Sequence, residues 1–272
     1  MPEACGRWKF RIPGRWAAPF GLSAFLLAYM AQPGLGARAA APVRITVSAA
    51  ASLKDALTKI ATAFQQARPD VEVALNFGAS GALELQIQQG APVDVFISAS
   101  SEEMDKLAGK DLLSAGSRVN LLQNELVLIA PRDSGTVAGF RDLAHADVRI
   151  VAMGDPRTVP AGMYAQQVLT ALGIYDALKN KVVLATDVRQ VLADVETGSA
   201  EAGFVYATDA AISSRVRIVA DAPPGSHQPI VYPGSVLRDS RQPDAARSFL
   251  DFLQGPKARA AFAKEGFRPA GK

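Results

Sequence analysis

RITVSAAASLKDALTKIATAF, Arg44 to Phe64, is the stretch from which the fold can be read. It opens on a β-rich run, Ile45-Thr46-Val47, passes through the small residues Ala49-Ala50-Ala51-Ser52, and continues as an amphipathic helix. Leu53, Ala56, Leu57, Ile60, Ala61 and Phe64 recur at the spacing of one helical face. Ser52 is expected as the N-cap, with Asp55 three residues on completing a capping box. The first turn of such a helix carries free N–H groups and the positive end of the helix dipole, and small residues before it let a ligand approach the backbone. One such turn is a weak signal, but the chain repeats the device.

A second alternating run, Val71, Val73, Leu75 and Phe77, leads through Gly78-Ala79-Ser80-Gly81 into a short helix expected over Ala82–Gln89. Val93–Ile97 reads as a third strand, followed by a helix capped at Ser100-Ser101-Glu102-Glu103. Asn124–Pro131 is a strand ended by proline and is expected to cross between two lobes. Val148–Met153 feeds GDPRTVPAG, where Pro160 suits the first position of a helix running to Leu172. Val182–Ala185 leads to a helix with Asp187 at N-cap and Gln190 at N3, and Ala202–Tyr206 is a strand ending in tyrosine. Ile230–Pro233 is the expected return crossing, and the C-terminus is helical with Ala246, Phe249, Leu250 and Leu253 on one face. Alternation of strand and helix throughout predicts α/β layers with mostly parallel sheets.

The N-terminus differs from the rest. Arg7, Lys9, Arg11 and Arg15 precede an apolar run, Trp16–Ala31, and small residues follow at Ala37–Ala41. This is the order of a secretory signal peptide, expected to occupy residues 1–41 with cleavage after Ala39 or Ala41. A membrane anchor would need about 20 apolar residues, and the run contains Pro19 and Gly21. Removing residues 1–41 takes five of the 29 basic and one of the 26 acidic residues, leaving 24 and 25. The mature chain is near neutral, which gives no basis for a nucleic-acid partner. The only cysteine, Cys5, lies in the leader, so the mature chain has neither disulfide nor thiolate. Its length is enough to bury a core without disulfides.

Catalytic chemistry is poorly supported. The two histidines, His145 and His227, sit in no recognisable motif, and there is no G-x-S-x-G, Walker loop or H-E-x-x-H. Asp155 and Asp187 could pair as carboxylates, but both precede expected helix starts, where aspartate caps backbone amides. What remains is a set of uncharged donors at the ends of elements: Ser52, Ser80, the amides near Ala161 and Val188, and Tyr206. Such a set suits an oxyanion that only accepts hydrogen bonds. Lys54, Arg157 and Arg189 lie beside these motifs and are expected to turn to solvent.

These residues carry a resemblance. ITVSAAASLKDAL, FGASGALELQIQQGAPVDVFISAS, NELVLIAP, GDPRTVPAGMYAQQVL, TDVRQVLADVETGSAEAGFVYATDA and FLQGPKARAAFAKEGF together resemble the periplasmic molybdate-binding proteins of ABC-type molybdate uptake, over about Val43 to Phe267. The resemblance implies a type II periplasmic binding protein fold: two α/β lobes, each a mostly parallel sheet flanked by helices, joined by two crossing strands. The lobes would be 42–123 with 230–272, and 124–229. It implies that the hydroxyls of Ser52, Ser80 and Tyr206 and the backbone N–H groups of Ala161 and Val188 hold molybdate or tungstate, with no direct metal-ion ligand and no cofactor. The expected protein is a periplasmic monomer, not an enzyme, that delivers its oxyanion to an inner-membrane ABC permease. Sulfate or another tetrahedral oxyanion is the alternative ligand.

Overall fold

The structure, a computed structural model, describes residues 41–271. The expected leader lies outside the described residues, apart from Ala41. Eleven strands are described: β1 Val43–Ala50, β2 Val71–Gly78, β3 Val95–Ile97, β4 Val119–Gln123, β5 Leu126–Pro131, β6 Val151–Gly154, β7 Val182–Ala185, β8 Ala202–Tyr206, β9 Val216–Asp221, β10 Val231–Val236 and β11 Arg268–Pro269. Between them run α1 Lys54–Ala67, α2 Ser80–Gln88, α3 Ser101–Gly109, α4 Pro160–Ala171, α5 Tyr175–Leu178, α6 Val188–Glu196, α7 Ala207–Ala211, α8 Pro243–Gln254 and α9 Pro256–Lys264.

The strands form two sheets, ordered β11-β4-β10-β3-β1-β2 and β7-β6-β8-β5-β9. In the first, β2, β1, β3 and β4 run one way and β10 and β11 the other. In the second, only β5 opposes its neighbours. Both sheets are therefore mixed and not mostly parallel as expected: the βαβ units give four parallel pairings, and β10, β11 and β5 add five antiparallel ones, β10 and β5 because each arrives from the other half of the chain. Of the expected strand Asn124–Pro131, Leu126–Pro131 forms, and it lies wholly in the second sheet and does not itself cross. β4 closes the first sheet at Gln123, and β5 opens the second at Leu126, so the chain changes sheets over Asn124 and Glu125.

Pattern and packing agree along the helices. α1 buries Ala56, Leu57, Ile60, Ala61 and Phe64, the face expected from its periodicity. Phe64 stands edge-on to Phe249 and Phe252 of α8, with ring centroids 5.1 and 5.3 Å apart. Burying residues such as Leu57, Ile60 and Phe64 contributes roughly 1.5–3 kcal/mol each. β3 shows the strand period: Val95 and Ile97 join the main core, while Phe96 points to the opposite face with Leu83, Ile87, Met104 and Leu107 of α2 and α3.

The Ser52 expectation needs correction. The chain leaves β1 through a 3-10 turn, Ala51–Leu53, and α1 begins only at Lys54 with no side-chain cap. Ser52 is inside that turn, and its hydroxyl meets the Tyr232 hydroxyl at 3.1 Å and caps no helix. Asp155 is corrected too: it accepts from the Arg157 amide and guanidinium within its own loop and caps no helix. Ser100 and Asp187 do cap, accepting from Glu102 N and from Arg189 N and Gln190 N.

Candidate functional site

Strand, small-residue turn and helix recur at the carboxyl ends of β1, β2, β6 and β7, where open α/β sheets present ligand sites. These ends converge on one small cavity, of about 10 Å³, between the two sheets. Ser52, Ser80, Ala161, Val188 and Tyr206 all line it, so the structure brings the five sequence-selected residues together. Ala50, Ala51, Gly78, Ala79 and Ala99 complete the wall on the first-sheet side, and none of the lining residues is a cation.

Each hydroxyl is held so that a hydrogen is available. Ser80 Oγ accepts from Ala99 N at 3.0 Å, which leaves its own O–H free to donate. Ser52 Oγ lies 3.1 Å from the Tyr232 hydroxyl, which itself accepts from Asn124 Nδ2 at 3.2 Å. With Tyr232 donating to Ser52, the Ser52 hydrogen is likewise free. Asn124 Nδ2 also reaches Thr208 Oγ1 at 2.9 Å, so this network runs along the segment that passes between the sheets. Tyr206 is 1% exposed and its hydroxyl has no hydrogen-bond partner in the protein. Burial pushes the Tyr206 hydroxyl well above the usual tyrosine range, so it is a protonated donor. A buried unsatisfied hydroxyl costs about 1–3 kcal/mol, which marks it as a group awaiting an acceptor.

The backbone donors come from two helix starts. Pro160 occupies the first position of α4 and Ala161 the second. The turn sits so close to β6 that a Cβ on Gly162 would lie 2.0 Å from the Gly154 oxygen. Only glycine fits there, and this close approach sets the position of Ala161. Val188 is the first residue of α6, and Asp187 Oδ1 takes the next two amides, Arg189 N at 2.8 Å and Gln190 N at 3.1 Å. First-turn amides have no partner inside their helix. Asp187 is the one carboxylate in the lining, and it is committed to this cap.

The cavity is closed over by contacts between the sheets. Gly81 N of α2 donates to Thr158 O at 2.9 Å, and a Cβ on Gly81 would stand 2.8 Å from the Thr158 backbone. Of the three neighbouring cations, Lys54 is exposed and Arg157 pairs with Asp155 at the surface. Arg189 does not turn to solvent. Its side chain is 22% exposed and pairs with Asp55 at 2.7 Å and Asp209 at 2.6 Å. The Asp209 contact is an ion pair by distance whose N–H direction misses the carboxylate, since both Arg189 Nε and Asp209 lack a well-angled hydrogen bond. Burial raises the Asp209 carboxyl to about 6 against the pull of Arg189. Burial also works against the Arg189 charge, but Asp209 and Asp55 outweigh it and hold its pKa above the ordinary value. Tyr232, Asn124 and Asp209 were not singled out from sequence, because nothing in local spacing shows that they come together.

Other features do not converge in this way. His145 is exposed, His227 is half-buried against the Tyr164 ring, and neither lines the cavity. A larger open groove at the far end of β1 includes Arg44, Asp94 and Arg241, with Asp94 committed to Thr46 N and the Ser240 hydroxyl. Among the described residues no cluster of His, Cys, Asp and Glu could hold a metal ion, and no helix is long and apolar enough to cross a membrane.

Comparison with known proteins follows this geometry. Residues 45–268 match the family model described as bacterial extracellular solute-binding protein. The chain is 39% identical over 238 residues to the molybdate-binding protein ModA of Haemophilus influenzae, covering 86% of this chain and 93% of that one. It is 39% identical over 231 residues to the Escherichia coli ModA, covering 82% and 88%. The solved periplasmic molybdate-binding protein of Azotobacter vinelandii superposes with a TM-score of 0.75 at 27% identity, over 84% of this chain and all of that one. That architecture, two sheets with flanking helices around a cleft, is the periplasmic binding protein fold. By match length and by the identity of its relatives, the chain belongs to the bacterial extracellular solute-binding protein family.

Proposed function

We propose that this protein binds molybdate, and tungstate with it, and hands the oxyanion to an ABC-type permease. The observation that carries the reading is the cavity lined by Ser52, Ser80, Ala161, Val188 and Tyr206, in which a buried tyrosine hydroxyl has no partner and no cation is present. A fully deprotonated tetrahedral dianion offers only acceptors, and these residues offer hydroxyl and first-turn amide donors. Relatives that carry the name molybdate-binding protein support the same ligand. The two sheets act as lobes, 42–123 with 230–272 and 124–229, that close on the anion. Residues 1–41 direct export and are removed, and the mature monomer works in the periplasm without catalysing a reaction.

Calorimetric titration of the mature protein with molybdate, tungstate, sulfate and phosphate tests this. Molybdate and tungstate are expected to bind with similar dissociation constants. Phosphate, monoprotonated at neutral pH, is expected to bind poorly, because its proton meets a lining of donors. Tight sulfate or phosphate binding with no molybdate binding would overturn the assignment.

A further inference from the structure

We propose that Arg189 is a positioning residue for the anion site, a cross-cleft clasp that ties the Ser52 turn of one sheet to the start of α6 in the other. This rests on the cavity being the anion site. Arg189 directly follows Val188, and α6 packs against the Ala51–Leu53 turn. Its Nη2 donates to Asp55 Oδ2 at 2.7 Å and to the Ser52 carbonyl at 3.3 Å, both belonging to the first-sheet half. Its Nε lies 2.6 Å from Asp209, which belongs to the second-sheet half and is fully buried. One guanidinium therefore joins two backbone positions that line the cavity, Ser52 and Val188, while not lining it itself.

Arg189 is committed to Asp55, the Ser52 carbonyl and Asp209 and is not among the residues that line the cavity. Asp209 holds the guanidinium beside its own half by charge at 2.6 Å, and the directed hydrogen bonds are those that Nη2 makes across the cleft. Asp55 and the Ser52 carbonyl then come within reach only when the halves meet. The clasp adds to closed-state stability and so lowers the rate at which bound ligand escapes. A lysine, with one ammonium point, cannot satisfy Asp209, Asp55 and Ser52 O in the same arrangement.

The test turns on sign. Asp55→Asn removes a negative charge close to an anion site, so a purely electrostatic role for this cluster predicts tighter molybdate binding. The clasp predicts weaker binding, by roughly 2- to 150-fold, the span of coupling between directly contacting groups. The loss is expected in the dissociation rate. Arg189→Gln is expected to lose a similar factor, and the double variant Asp55→Asn/Arg189→Gln no more than the larger single loss. Arg189→Lys should recover only part. The readouts are molybdate dissociation constants at two salt concentrations, dissociation rates, and the thermal midpoint of the ligand-free proteins. Should Arg189→Gln leave Asp209 unpaired and fail to fold, Asp55→Asn decides alone, since Asp55 is 43% exposed in its side chain. Tighter or unchanged binding by Asp55→Asn overturns the clasp while leaving the molybdate assignment intact. A wild-type protein that binds none of the four oxyanions overturns both.

Discussion

At the scale of single residues, the site depends on where hydrogens are left over. Ser80 spends its acceptor on Ala99 N, Ser52 is positioned by Tyr232, and Tyr206 has no protein partner at all. A hydrogen bond to a charged group contributes about 1.5–3 kcal/mol, or roughly 10- to 150-fold in dissociation constant. Ser52→Ala, Ser80→Ala and Tyr206→Phe are each expected to weaken molybdate by a factor in that range, read by calorimetry. Tyr206→Phe carries a second expectation of opposite sign. Because the hydroxyl forms no hydrogen bond within the protein, removing it should not lower the thermal midpoint of the ligand-free protein. A variant that melts earlier yet binds normally would make Tyr206 a core residue rather than a ligand. The serines and the tyrosine were legible as strand-end donors. Their hydrogen-bond direction was not, because it depends on Ala99, Asn124 and Tyr232, which are distant in the chain or set by the packing of β10.

At the scale of elements, helix starts are placed by glycines that permit close approach. Gly162 lets α4 sit against β6, and Gly81 lets α2 meet the Thr158 backbone across the cleft. The two differ in consequence. A side chain at Gly162 collides with backbone inside its own half and disturbs the fold. One at Gly81 collides only with the opposite half. Gly81→Ala places the better helix former in α2, a gain of up to about 1 kcal/mol in the ligand-free protein. It obstructs the closed arrangement by the cost of overpacking, about 1–3 kcal/mol, or roughly 5- to 150-fold in molybdate affinity. Denaturant unfolding and calorimetry on the same variant check both. Wild-type affinity in Gly81→Ala would mean that this contact is not needed for binding. The capping pattern at Asp187 was readable from sequence because it is local. The misreading at Ser52 was also local in origin: S-L-K-D fits a capping box, but a 3-10 turn between β1 and α1 displaces the helix start by one residue.

At the scale of the molecule, donors on two sheets face one small cavity, and contacts between the halves close it: Gly81 to Thr158, and Arg189 to Asp55 and Ser52. A ligand that binds donors of both halves favours the form in which they are close. Small-angle scattering with and without saturating molybdate is expected to show a smaller radius of gyration with the ligand. Superimposable curves at saturation would mean that binding does not draw the halves together.

Sequence alone determined what depends on near neighbours. The i, i+3, i+4 face of α1, the alternation of β2, Pro160 at the head of α4 and the Asp187 cap are properties of a few consecutive residues, and short-range sterics and hydrogen bonding decide them. The same local rules picked out Ser52, Ser80, Ala161, Val188 and Tyr206 as donors at the ends of elements. Tertiary structure alone decided what those donors share. The break between β4 and β5 arises because Gln123 and Leu126 pair with different sheets. The fate of Arg189 is of the same kind. A long cation at a helix start is free to reach water, and only the packing of α6 against the Ser52 turn, with Asp209 buried beneath and Asp55 opposite, makes the ion pairs the better solution. Asp55 lies 134 residues before Arg189, and contacts at that separation are set by how the sheets meet, which no local pattern encodes.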